Sequence, residues 1–77
     1  MKGNGDGKIE VGVKPMSDGW VMFRAGITPT TVMQQVPTAI NEIMIGWLME
    51  RTNLHVRTTL PIVEDGYTVA VHLWFDV

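Results

Sequence analysis

From Leu54 to Val77 the chain alternates apolar and polar residues on both sides of one Asp65-Gly66 dipeptide. Leu54, Val56, Thr58, Leu60 and Ile62 precede it; Tyr67, Val69, Val71, Leu73, Phe75 and Val77 follow. A period of two marks a strand with one buried face, and Asp-Gly suits the positive-φ residues of a tight hairpin turn. A two-residue turn sets Ile62 opposite Val69, Leu60 opposite Val71, Thr58 opposite Leu73, Val56 opposite Phe75 and Leu54 opposite Val77. Polarity matches across every pair, which predicts a long antiparallel hairpin.

A second alternation stands earlier. Ile9, Val11 and Val13 fall on one side of a strand and Lys8, Glu10, Gly12 and Lys14 on the other. Pro15 to Gly19 breaks the pattern, and Val21, Phe23, Ala25 and Ile27 resume it. A two-residue Asp18-Gly19 loop would put Lys14 against Phe23 and mix the faces. A three-residue loop of Ser17, Asp18 and Gly19 puts Val13 against Phe23, Val11 against Ala25 and Ile9 against Ile27, with Gly19 left-handed. Between the hairpins, Thr28-Pro29 reads as a helix N-cap and first-turn proline. Val32, Val36, Ala39, Ile40, Ile43 and Trp47 share about 100° of a helix surface. Pro37 interrupts that helix, which either kinks there or divides into a short first turn and a main segment from Pro37 to about Arg51. The first seven residues include three glycines and are expected to form a flexible arm, residues 1–7, ahead of one domain over 8–77. The expectation is an α+β fold of order ββαββ: one four-stranded, mainly antiparallel sheet with a single proline-interrupted helix on one face. Strand order is open, because right-handed crossover leaves more than one arrangement.

Composition bounds the function classes. A chain of 77 residues buries only roughly 60% of its unfolded surface, enough for one modest core. Its 45% apolar and 18% charged residues argue against disorder. A net charge of −2 supplies no basic excess for holding nucleic acid by counterion release. The absence of cysteine excludes disulfides, zinc-thiolate sites and a cysteine nucleophile. No apolar run reaches the ~20 residues of a membrane helix, and Met1-Lys2-Gly3-Asn4 lacks a secretory apolar segment, so a soluble, cytoplasmic protein is expected.

Candidate chemistry is sparse. Asn4-Gly5-Asp6-Gly7-Lys8-Ile9 resembles the middle of a calcium loop, but the first and twelfth ligand positions then fall on Lys2 and Val13, which offer no side-chain oxygen. In the register above, His72 faces Thr59, and His55 lies four residues further along, about 13 Å at the strand rise, so one ion cannot join them. His55 facing Asp76 lacks a nucleophile within reach: Ser17 is in a distant turn and Thr59 is four residues away. Gly26-Ile27-Thr28-Pro29 has a proline where phosphate-binding amides are wanted. These observations predict no enzyme, no metal and no cofactor.

What remains is surface. One helix covers one face of the sheet, and the opposite face collects Trp20, Met22 and Arg24 from the first hairpin and Arg57, His72 and Trp74 from the second. Register places Arg57 opposite Trp74, suited to a cation–π contact, and His55 opposite Asp76, suited to an ion pair. The helix itself carries Met44, Ile45, Leu48 and Met49 beyond its inward stripe, an apolar girdle that implies burial on more than one side. The leading expectation is therefore a non-enzymatic interaction or assembly module that binds itself or another protein. An accessory subunit or a phage-type inhibitor of a host protein would both fit. One alternative is a small-molecule-binding oligomer with an aromatic ligand stacked on Trp20 or Trp74 at a subunit interface. Another is a single-stranded nucleic-acid binder using the same aromatics, against which the acidic charge argues.

Overall fold

Four antiparallel strands and one α-helix make up the fold in a computed structural model that describes residues 9–77; the expected arm, residues 1–7, lies outside the described residues. The strands are β1 (Val11–Ser17), β2 (Trp20–Ala25), β3 (His55–Glu64) and β4 (Tyr67–Asp76), in the sheet order β1-β2-β4-β3. Helix α1 (Val36–Met49) links the two hairpins. The fold class read from the chain is the one observed. The order also agrees with proline chemistry: Pro15 lies in β1 and Pro61 in β3, the two edge strands, where a missing backbone donor need not break the ladder.

The first hairpin has the expected register, with Val11 opposite Ala25 and Val13 opposite Phe23. It reaches that register by another route. Asp18 and Gly19 form a two-residue turn between paired Ser17 and Trp20, and an irregularity between Pro15 and Ser17 restores the match of faces. Gly19 takes φ +96°. Pro15 thus continues the strand instead of ending it, and the strand begins at Val11; the expected start at Lys8 lies outside the described residues. Ile9 packs on the core without the predicted pairing to Ile27, which is 41% exposed.

The second hairpin turns at Asp65 (φ +53°) and Gly66 (φ +83°), as expected. Beyond the first two pairs the predicted register fails over half its length. A bulge at Val69 sets Ile62 opposite Ala70, Leu60 opposite His72, Thr59 opposite Leu73 and Thr58 opposite Trp74; a second, at Arg57, restores Val56 opposite Phe75 and His55 opposite Asp76. The cause is burial. β4 is central and keeps its own alternation, with Val69, Val71 and Leu73 buried, whereas β3 is an edge strand without one buried residue. Register is weakly specified where no core enforces it.

The helix begins later than Thr28. Thr31 Oγ1 accepts from the Thr28 amide at 2.8 Å, and the Thr31 amide bonds the Thr28 carbonyl at 3.1 Å, so this segment closes on itself as a turn. A 3-10 turn at Met33–Gln35 then leads into α1, with Pro37 in its first turn, the one place an α-helix tolerates proline. Division, not kinking, resolves the interruption. The stripe that meets the sheet also differs slightly from expectation. Val36 and Ile40 are fully buried, and Met44, Trp47 and Leu48 pack against the same core. Val32 and Ile43 are 42% exposed. On the sheet this stripe meets Val21, Phe23, Ala25, Val69, Val71 and Leu73. Trp47 stands edge-on to Phe23 at 5.6 Å. Arg51 caps the helix end, donating to the Trp47 carbonyl at 3.0 Å with its guanidinium 4.1 Å above the Trp47 ring. Among the described residues no helix is long and apolar enough to cross a membrane.

Two substitutions separate backbone from packing. Phe23→Ala empties the centre of the core and is expected to cost about 3–5 kcal/mol. Gly66→Ala adds a methyl group that meets no atom within 4 Å, so its cost is conformational alone, about 1–2 kcal/mol. Urea unfolding of both variants checks the order; an equal loss would contradict it.

Candidate functional site

Cross-strand partners point to the same side of a sheet, so the pairings define the face opposite α1. Gly12 pairs with Arg24, Lys14 with Met22, Met22 with His72, Trp20 with Trp74, and Arg24 with Ala70. Val21, Phe23 and Leu73 point the other way, under the helix. The expected tryptophan-bearing face is thus present, on β2 and β4. Because the displaced stretch of β3 lies at the edge, it leaves the tryptophans in place and changes their neighbours. Thr58 and Leu60 turn toward this face and Thr59 turns away from it, while Ile62, at the other register shift, packs against the core. Leu60 is 50% exposed. No feature of the alternation marks Thr58 and Leu60 for this side; only the bulges put them there.

At its centre is an aromatic cluster. Trp20 and Trp74 stack with centroids 5.4 Å apart and planes 12° from parallel, and His72 lies 5.1 Å from Trp20 and 6.0 Å from Trp74. All three are half-buried, as is Met22. The stack follows from direct register pairing, and offset aromatic pairs of this kind contribute about 0.5–1.5 kcal/mol beyond their buried area. The two expected polar contacts are rearranged. Thr58, not Arg57, is the partner of Trp74, and Asp76 takes its ion pair from Arg57 Nε at 3.5 Å although His55 is its register partner. The bulge explains both, because it releases Arg57 from the ladder and swings it toward the end of β4.

Charge divides by side. Lys14, Arg24 and Arg57 sit on the open face, with Asp76 at its end. Glu42 and Glu50 rim a groove of about 290 Å³ on the helix side, floored by Val13, Ile43, Gly46 and Trp47. On α1, Met44 and Leu48 belong to the core packing, while Ile45 (46% exposed) and Met49 (74% exposed) face outward. The site residues read from the chain therefore form two groups that do not meet: the sheet face, and a smaller apolar patch on the back of the helix. Comparison with protein-family models, with curated proteins and with solved structures finds no match for this chain.

Close stacking of two indoles couples their electronic transitions. Far-ultraviolet circular dichroism is expected to show a split band that Trp20→Phe or Trp74→Phe abolishes and Trp47→Phe leaves intact. Retention of the band in both of the first two variants would refute the stacked geometry.

Proposed function

We propose that this protein is a non-enzymatic, cytoplasmic interaction module that assembles with a second copy of itself through the sheet face opposite α1. The observation that carries the reading is the Trp20–His72–Trp74 cluster with Met22 and Leu60 on a face that no element among the described residues covers. Solvated sheet faces are ordinarily polar, and an uncovered aromatic patch marks a contact surface.

Area favours a second copy. Four strands spaced by about 4.8 Å, averaging about eight residues at roughly 3.3 Å each, present about 500 Å² in plan. Two such faces together bring about 1,000 Å², the lower bound of a specific interface, before side-chain relief is counted. Core size argues the same way: a fold resting on one helix against two central strands gains most from covering its other face. The cations do not oppose this. Arg24 and Lys14 are exposed, and long basic stems can lie along an apolar contact with their charges at its rim in water.

Native mass measurement at micromolar concentration is expected to give twice 8.6 kDa. Trp74→Ala is expected to shift the protein to monomer and Ile45→Glu, on the far side of α1, to leave it a dimer. A wild-type monomer would remove the reading; dissociation by Ile45→Glu alone would move the interface to the helix. Tight, salt-sensitive binding of the wild-type monomer to a single-stranded oligonucleotide would replace self-assembly with nucleic-acid binding.

A further inference from the structure

At one end of the open face, beyond the Met22–His72–Leu60 row, lies an open cavity of about 360 Å³ lined by Arg57, Thr58 and Trp74. That volume is at the lower end of small-molecule sites, which span roughly 300–1,000 Å³. Its three walls differ in chemistry, and the bulge in β3 brings two of them, Arg57 and Thr58, beside Trp74. Trp74 contributes indole surface; Trp20 already occupies one side of that ring, so a flat molecule in the cavity would extend an existing stack. Thr58, paired with Trp74, contributes a hydroxyl. Arg57 contributes a guanidinium whose one charged neighbour among the described residues is Asp76, at 3.5 Å from Nε. Both groups of that pair are about two-thirds exposed, which makes it a weak, readily exchanged contact. None of the guanidinium N–H groups is consumed by a hydrogen bond to the described residues.

From this placement we infer that the Arg57–Thr58–Trp74 cavity is a binding site for a small planar aromatic anion, a ring system bearing a carboxylate or sulfonate. The ring stacks on Trp74. The acid group takes the fork of Arg57 donors, with which planar oxyanions form paired hydrogen bonds, and accepts from the Thr58 hydroxyl. Asp76 competes for the same cation, so the site favours ligands whose acid group can displace a single loose carboxylate contact. The site is made by one chain, and because Trp74 also lies on the proposed self-contact face, ligand and second copy compete for it.

Naphthalenesulfonate, with uncharged naphthalenemethanol as its comparison, provides the test, read from the indole N–H resonances in proton–nitrogen NMR spectra and from isothermal titration. Saturable binding of the sulfonate at submillimolar concentration is expected, moving the Trp74 resonance and sparing that of Trp47, with the alcohol at least tenfold weaker. Arg57→Gln is expected to weaken the sulfonate about tenfold and leave the alcohol unchanged. Asp76→Asn, which removes the competing carboxylate, is expected to tighten it about threefold, a gain that no loss of folding can mimic. Equal binding of the two probes, a response at Trp47 in place of Trp74, or indifference to both substitutions would overturn the assignment. The same samples report mass. A monomer that binds the sulfonate retires self-assembly and keeps the site; a dimer that still fails to bind it when diluted to monomer does the reverse.

Discussion

The structure depends on one stripe of α1, Val36, Ile40, Met44, Trp47 and Leu48, seated on β2 and β4. Every fully buried side chain among the described residues belongs to the helix or to those two central strands, so the core is a single helix against half a sheet. The rest follows from that narrowness. β1 and β3 are held mainly by their ladders, and among the described residues the far face of the sheet is closed by nothing but its own side chains. Trp20 and Trp74 lying against each other is the local solution, since stacked indoles hide part of their surface where the described residues supply no second layer.

The edge strand shows the cost of a narrow core. β4 keeps a strict alternation because Val69, Val71 and Leu73 must all reach the helix side. Its partner β3 has no such obligation, and the ladder there absorbs two bulges within ten residues. Those irregularities decide the chemistry of the candidate surface. They send Leu60 to the tryptophan face, put Thr58 beside Trp74, and free Arg57 to reach Asp76. Bulges commonly re-aim side chains at strand edges, and here they bring a cation and a hydroxyl beside an indole in one cavity of the open face.

Sequence and structure agree most closely where hydrophobic alternation and turn chemistry act together. Both hairpins, the pairing of Val11 with Ala25 and Val13 with Phe23, the Asp65-Gly66 turn and the outward direction of Trp20, Met22 and Trp74 were legible in the residues. Strand order was left open by the residues, since right-handed crossover allows more than one arrangement; the structure sets β2 beside β4 and puts Pro15 and Pro61 on the two edges, where a missing donor is tolerated. The helix start was half legible. Thr28-Pro29 resembles a cap, but Pro37 cannot lie deep inside an α-helix, and the threonines satisfy one another in a turn instead.

By itself, then, the chain determined an α+β hairpin–helix–hairpin unit with its tryptophans turned away from the helix, because side-chain period and turn residues are local properties that each strand carries alone. Only the tertiary structure decided which residues of β3 face those tryptophans, and that Met44 and Leu48 serve the core while Ile45 and Met49 do not. Both outcomes turn on how far one helix reaches across a four-stranded sheet, a distance between elements that no periodicity along the chain encodes.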